Sequence, residues 1–207
     1  MALSKIDVAN MLTGSTPVAN GGTGLASGTS GQFLKFTGST TLASASSGIT
    51  EYDNWRLSSS VTTSGDTVLT SNWERVDSST FEKIGTGLSE SSGVFSFPST
   101  GKWQIIWMPS FLLANAESRH SVGDIQVTTD NSSFNLVSRA NCNNWNNSVD
   151  VHHKGVCQYL FDVTNTSNYK FRFQCNGSAD SGNQNITVWG DSNYNYTEFT
   201  CMKIGDT

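Results

Sequence analysis

The pair of adjacent histidines in the run Asp150-Val151-His152-His153 combines imidazole with carboxylate, the side chains that bind transition metals. Successive side chains of a strand point to opposite faces, so neighbouring histidines rarely share one ion within a chain. If three copies of the chain met on a three-fold axis, one histidine from each copy could still bind a shared metal ion. We predict no metal site and no cofactor, and expect the histidines to contact solvent or make hydrogen bonds.

The sequence contains no recognisable arrangement of the residues that hydrolases use for catalysis. A nucleophile elbow requires Gly-x-Ser-x-Gly, which the sequence lacks. Glycoside hydrolysis requires two carboxylates that flank a groove, and the 17 Asp and Glu are dispersed along the chain. We therefore expect a protein that is not an enzyme.

Binding chemistry is more evident, in two aromatic segments that are rich in asparagine. Trp145 stands among Asn143, Asn144 and Asn146, and Tyr194 and Tyr196 lie in a similar run near the C-terminus. An aromatic face surrounded by amide donors and acceptors can hold a sugar ring. These six residues are our candidates for receptor contact. The alternative is that both segments are ordinary turns and that Trp145 packs on its own domain.

The four cysteines are Cys142, Cys157, Cys175 and Cys201, and no two have the spacing of a zinc ribbon. Four cysteines allow three disulfide pairings, among which the sequence does not choose. Residues Met1 to Asn10 contain Lys5 and Asp7 rather than an apolar core, so we expect no secretion signal and synthesis in a cytoplasm. Reduced thiols buried in strands are therefore predicted.

Charge and hydropathy argue against two classes of partner, nucleic acids and membranes. The net charge is -5 and the 12 Lys and Arg are scattered, whereas nucleic-acid binding needs a basic stripe. No apolar run approaches the roughly 18 residues of a membrane span. We expect neither nucleic-acid binding nor membrane insertion.

The elements that must position the candidate residues belong to an all-β domain at 51–207. Charged residues make up 14% of the chain, against about 25% in typical proteins, and small polar residues alternate with aromatic and β-branched ones. This pattern predicts about ten strands in a sandwich or jelly roll, without a convincing helix. The predicted strands are Trp55–Val61, Val68–Val76, Phe81–Ile84, Gly93–Phe97, Trp103–Met108, Val122–Thr128, Phe134–Ser138, Gly155–Val163, Tyr169–Cys175, Asn185–Gly190 and Glu198–Ile204.

One predicted strand, Trp103–Met108, is apolar on both faces, which indicates a subunit interface as well as a core. The trimer-interface candidates are Trp103, Ile105, Trp107 and Phe199.

Two further segments precede this domain. Residues 1–14 predict a short helix whose apolar side is Leu3, Ile6, Met11 and Leu12. So short a helix must pack on something, and we interpret it as a virion-anchoring segment rather than a frayed end. Residues 15–50 are rich in Gly, Ser and Thr and contain spaced apolar residues, which favours an extended stalk of intertwined chains over a free linker.

The segment from Val18 to Lys35, VANGGTGLASGTSGQFLK, resembles the glycine-patterned segment of bacteriophage tail fibres and other virion fibres. The start, Ala2 to Asp7, is similar to the attachment segment of such fibres. This resemblance implies a virion protein that docks through its N-terminus onto another virion protein.

The segment Gly93-Val-Phe-Ser-Phe-Pro-Ser-Thr-Gly101-Lys-Trp103 and the last strand, Phe199 to Ile204, are similar to the strand pair and final strand of C1q/TNF-like jelly rolls. The family pattern has Tyr where this chain has Trp103. The resemblance implies a compact homotrimer, with a turn at which Gly101 adopts a positive φ.

Together the two resemblances imply a bacteriophage structural protein located in the virion: a trimeric tail-fibre or spike subunit, anchored by its N-terminus. Its C-terminal head would bind a glycan or protein of the bacterial surface. The alternative of the same architecture is a capsid decoration or head-fibre protein.

Overall fold

The computed structural model describes residues 22–25, 28–39, 41–45, 48–113, 120–143, 151–179, 182–183 and 185–207. The chain divides into two units, Met1–Thr50 and Glu51–Thr207. The predicted N-terminal helix with Leu3, Ile6, Met11 and Leu12 lies outside the described residues. So do three receptor candidates, Asn144, Trp145 and Asn146. Within the described part, no helix is long and apolar enough to cross a membrane.

The described part of the first unit contains an antiparallel hairpin of β1 (Phe33–Gly38) and β2 (Thr41–Ala45). Alternation places Leu34 and Phe36 on one face, and Phe36 lies opposite Leu42. Every residue of β1 is exposed. A lone two-stranded hairpin is marginally stable in water, so this apolar face needs a partner.

The second unit, which we call the head, is built of strands only, as far as its residues are described. The strands are β3 (Tyr52–Leu57), β4 (Ser59–Ser64), β5 (Thr67–Val68), β6 (Trp73–Arg75), β7 (Ser89–Ser91), β8 (Val94–Ser96), β9 (Gly101–Met108), β10 (Ser110–Leu113), β11 (His120–Thr128), β12 (Asn135–Asn143), β13 (Val151–Lys154), β14 (Cys157–Val163), β15 (Lys170–Ala179), β16 (Gly182–Asn183), β17 (Asn185–Asp191) and β18 (Glu198–Gly205).

Two of the head's three sheets form one bent layer. The five-stranded sheet has the order β14-β9-β18-β3-β6, and the four-stranded sheet has the order β13-β10-β17-β4. Four chain segments pass from one sheet to the other in the same order, for example β9 into β10 through Pro109. The third sheet, with the order β12-β11-β15-β8-β7, is the facing layer of a jelly-roll sandwich.

Strand β15, which covers all of the predicted strand Tyr169–Cys175 except its first residue, alternates as a half-buried strand does: Phe171, Phe173 and Cys175 are buried. The ring of Phe173 packs against rings of the five-stranded sheet: its centroid lies 4.5 Å from that of Trp107 and 4.8 Å from that of Phe199. Each fully buried ring contributes roughly 1.5–3 kcal/mol of hydrophobic free energy.

The trimer-interface candidates require a correction. Trp103, Ile105, Trp107 and Phe199 are at most 1% exposed within a single chain. They face the third sheet, so the core of the head accounts for their burial without a second copy. The other face of β9, with Gln104, Ile106 and Met108, is only half-buried. The strand therefore turns one side to the core, and Lys102, Gln104, Ile106 and Met108 lie on its outer side.

Several predicted strand bounds also differ. The segment Trp55–Val61 is divided at Ser58, where the layer bends, and Val68–Val76 contains a turn between β5 and β6. Phe81–Ile84 supplies only a single bridge, from Ile84 to Tyr52. Strands β7, β10 and β13 lie outside every predicted strand. Short strands at a bend carry too few alternating residues to be recognised from the sequence.

Gly101 adopts the positive φ that the resemblance implied, at 144°. A Cβ placed there would lie 2.3 Å from Lys203 Cε and 2.8 Å from the carbonyl oxygen of Gly205. Glycine is therefore required where β9 begins beside the end of β18.

Candidate functional site

A row of four aromatic side chains lies on the surface of the head where the layer bends. Trp189 and Tyr196 are stacked, with their ring centroids 3.8 Å apart and their planes 9° apart. His152 lies against Trp189 at 4.4 Å, and Tyr194 lies 5.9 Å from Tyr196. We call these four residues the aromatic row. Tyr194 is 63% exposed, so it presents an open ring face to solvent.

Strand alternation explains why the row forms on the outside. Val188 of β17 is buried, which turns the next side chain, Trp189, to the outer face. In β13, His152 is exposed whereas His153 is half-buried and lies in register with the core residue Phe111. The prediction that the two histidines face opposite ways is confirmed.

The turn after β17 places the two tyrosines. Asp191 Oδ1 accepts hydrogen bonds from the backbone N–H groups of Asn193 and Tyr194, at 2.7 and 3.3 Å. The N–H of Tyr196 donates to the carbonyl oxygen of Tyr194 at 3.0 Å. An aspartate that bonds the backbone two residues further on is a turn-forming arrangement. Local hydrogen bonds therefore shape the beginning of this turn.

Arg56 fastens the turn to the five-stranded sheet. Its side chain is 2% exposed although it lies on the outer face of β3, because the turn covers it. The guanidinium donates to Glu74 Oε1 at 2.8 Å, to Asp77 Oδ1 at 2.5 Å and to the carbonyl oxygen of Ser192. A planar guanidinium with five donors can hold several partners at once, which an ammonium group does less well.

Glu198, at the start of β18, closes the other side of the turn. Its Oε2 accepts hydrogen bonds from the Asn195 and Asn54 amides at 3.0 and 3.3 Å. Its Oε1 pairs with Lys154 Nζ at 3.0 Å, and the same Nζ donates to the carbonyl oxygen of Asn195. The turn that carries both tyrosines is therefore bonded to strands β3, β13 and β18.

Thr197 anchors the turn at the bend of the layer. Its hydroxyl accepts from the N–H of Ser110 at 2.9 Å and donates to the carbonyl oxygen of the same residue at 3.2 Å. Its own carbonyl oxygen accepts from the N–H of Leu57 at 3.0 Å. Thr197 is fully buried, so these bonds are shielded from water.

The predicted contact residues are partly united by this site. Tyr194 and Tyr196 lie together in the aromatic row, while Asn143 is exposed at the end of β12. The sequence reasoning missed Trp189 and the packing of His152 against it, and both residues join the row through tertiary contacts. One signal was present: Trp189 stands directly before Gly190 and Asp191, at the end of a strand whose preceding apolar residue is Val188.

The four cysteines match the prediction of buried thiols in strands. Cys142, Cys157, Cys175 and Cys201 lie in β12, β14, β15 and β18, all buried and free of disulfides. Burial raises the pKa of each thiol, in the case of Cys157 to about 12. Within the described ranges no three His, Cys, Asp or Glu side chains are grouped as metal ligands.

A second surface is the outer face of the five-stranded sheet. Ile106 of β9 lies opposite Gln158 of β14 and Thr200 of β18. Leu160 on the neighbouring strand is 49% exposed, and Met202 is half-buried. The centre of this face combines aliphatic and uncharged polar side chains, and charged side chains lie at its two ends: Lys102 and Asp162 at one, Arg56 and Glu198 at the other.

No protein-family model matches the chain, and no curated protein matches it in sequence. Solved structures of similar fold include the Eiger TNF of S. frugiperda, with a TM-score of 0.56, 10% identity and coverage of 75% of this chain and 93% of that one. Murine APRIL at pH 5.0 is similar with a TM-score of 0.51, 11% identity and coverage of 74% and 98%. At such identities the likeness concerns the fold alone, and it supports the C1q/TNF-like jelly roll of the head.

Proposed function

We propose that this chain is a bacteriophage structural protein, a trimeric tail-fibre or spike subunit whose head binds the host cell surface. The observation that carries the proposal is the aromatic row, an exposed ring cluster bonded firmly to the head. Residues 1–14, with Leu3, Ile6, Met11 and Leu12, attach the subunit to another virion protein. The resemblance of residues 18–35 to virion-fibre segments supports this placement.

Self-association is supported by two apolar surfaces. The outer face of the five-stranded sheet offers Ile106 and the exposed Leu160 to other copies. In the first unit, the hairpin face with Leu34 and Phe36 is exposed, and three copies around one axis would bury it. A homotrimer with an intertwined stalk satisfies both surfaces.

Host binding is supported by the exposed chemistry at the aromatic row. Tyr194 offers an open ring, and Asn193 and Ser192 beside it are exposed polar residues. A single such contact is weak, but three heads per fibre and several fibres per particle multiply it. Asn143, Asn144, Trp145 and Asn146 remain candidates for additional contacts.

Immunogold labelling of purified virus particles tests the location, with antibody raised against residues 51–207. Gold on the tail supports the fibre or spike, whereas gold over the capsid supports a decoration or head-fibre protein. A truncated chain that lacks residues 1–14 is expected to fold and to stay out of particles. Absence of gold from the particles, or normal incorporation of the truncated chain, would contradict the virion proposal or its anchor, respectively.

A further inference from the structure

We infer that the aromatic row is a binding site for a neutral glycan, with the Tyr194 ring as the platform for one pyranose ring. The inference rests on the proposed host-binding function and assigns its ligand class. It also gives roles to His152 and Trp189, which the sequence left without a function.

The geometry separates a contact ring from its supports. The rings of Trp189 and Tyr196 are stacked, so each covers one face of the other, and Trp189 also contacts His152. These three rings are packed side by side, whereas Tyr194 stands tilted by 39° at the end of the row and is 63% exposed. The negative face of an aromatic ring attracts the polarised C–H groups on the apolar side of a pyranose. Tyr194 and His152 are the exposed members of the row, and of these two Tyr194 has the phenol ring whose face suits such a contact.

The polar groups beside Tyr194 suit hydroxyls. Ser192 and Asn193 are exposed, and the Asn193 amide and the Ser192 hydroxyl lie 3.4 Å apart. The Asp191 carboxylate holds the two following residues by their backbone N–H groups, so this turn has a defined shape before ligand arrives. Hydroxyl and amide groups both donate and accept hydrogen bonds, and the hydroxyl groups of a sugar do the same. A preorganised turn also lowers the ordering cost of binding.

The charge balance selects a neutral ligand. The charged side chains in the turn and its hydrogen-bond network are Arg56, Lys154, Glu74, Asp77, Asp191 and Glu198. Carboxylates outnumber cations by four to two, and both cations are paired with carboxylates. The net charge of the whole chain, which includes these residues, is also negative at -5. Acidic polysaccharides are therefore repelled rather than attracted.

A protein ligand fits the site less well. Stable protein interfaces bury about 800 Å² on each partner around a desolvated apolar centre. The turn 191–196, with the sequence DSNYNY, contains no aliphatic residue. One open ring surrounded by amides and hydroxyls corresponds to a single sugar ring, whose weak contact is multiplied by the number of copies.

The test is binding of the full-length chain to an array that carries neutral glycans of hexoses, N-acetylhexosamines and deoxyhexoses, together with glycans that contain uronic acids. We expect binding to neutral glycans and none to the acidic ones. Tyr194→Ala should weaken binding by about tenfold or more, because it removes the stacking face from every copy in a multivalent assembly of the chain. Tyr194→Phe, which keeps the ring face, should bind as the unchanged chain does.

Phe134→Ala is the matched control. Phe134 is a half-buried ring on the turn between β11 and β12, packed against Arg172, at the end of β12 remote from Asn143. Its loss should leave glycan binding unchanged. Equal binding by Tyr194→Ala and the unchanged chain, preference for acidic glycans, or no glycan binding at all would overturn the inference. If the chain still binds host cells through a protease-sensitive receptor, the glycan assignment fails while the proposed function stands. If it binds no cells and labels no particles, the proposed function fails as well.

Discussion

The indole of Trp189 and the phenol ring of Tyr196 lie parallel at 3.8 Å, although one belongs to β17 and the other to the turn that follows it. This stack turns the chain back on itself at the place where the layer bends. The hydroxyl of Thr197, the next residue, then bonds both backbone groups of Ser110. Ring packing and backbone bonding thus hold the same turn from opposite sides, and Tyr194 is left at the surface.

Arg56→Ala should destabilise the head and loosen the turn. The guanidinium is buried and holds Glu74 and the Ser192 carbonyl oxygen, so its removal leaves polar groups of the turn without their donor. The expected loss is about 2 kcal/mol of unfolding free energy, because Asp77 is exposed enough to be hydrated instead. Chemical denaturation measures it.

Lys102→Ala is the control for Arg56, since Lys102 is an exposed cation on the same sheet. Its unfolding free energy should change by less than about 0.5 kcal/mol. Glycan binding by Arg56→Lys gives a second readout: a positioning role predicts partial recovery relative to Arg56→Ala. If Arg56→Ala were as stable as Lys102→Ala, the role of Arg56 in holding the turn to the five-stranded sheet would be contradicted.

Leu160→Arg should dissociate the proposed trimer. Leu160 is exposed on the outer face of the five-stranded sheet, and an arginine there would bring three like charges into a shared interface. Light scattering during gel filtration should give three times 22.3 kDa for the unchanged chain and a smaller mass for the variant.

Leu136→Arg is the counterpart on the other side of the sandwich. Leu136 has nearly the same exposure, 46% against 49%, but lies on β12 of the third sheet. The Leu136→Arg variant should keep the mass of the trimer in the same measurement. A monomeric unchanged chain would refute the trimer, and loss of the trimer in Leu136→Arg alone would place the interface on the third sheet.

Gly101→Ala should lower stability through the backbone. The residue has a φ of 144°, and an added Cβ would meet the Gly205 carbonyl oxygen at 2.8 Å. A cost of about 2 kcal/mol is expected from the strained conformation and the displaced neighbours. Gly205→Ala should be nearly neutral, because its Cβ would have nothing within 4 Å. Similar melting temperatures of the two variants would argue against this account.

The four thiols should resist alkylation in the folded protein. Desolvation raises the pKa of every one, so the thiolate that reacts is scarce at pH 8, and the surrounding strands block access. Mass spectrometry after treatment with iodoacetamide should show no modification until denaturant is added, and then four. Rapid modification of the native chain at Cys175 or Cys201, the two most deeply buried, would contradict the packing of the core.

The all-β class, the alternation of β15 and the burial of the four thiols could be predicted from the sequence, whereas the positive φ of Gly101 was implied by the resemblance to C1q/TNF-like jelly rolls. The first three follow from the two-residue period of strands and from the apolar character of the side chains. The resemblance of Gly93 to Trp103 led to the fold that the solved structures support.

Only the tertiary structure decided where the aromatic side chains point. Trp103 and Trp107 look like interface residues in an apolar run, but alternation sends them into the core and leaves Ile106 outside. Trp189 and His152 are 37 positions apart, and their rings meet because β13 and β17 both pair with β10 in the four-stranded sheet. For a strand such as β9, whose sequence is apolar on both faces, the sheet that packs against it determines which face is the inner one.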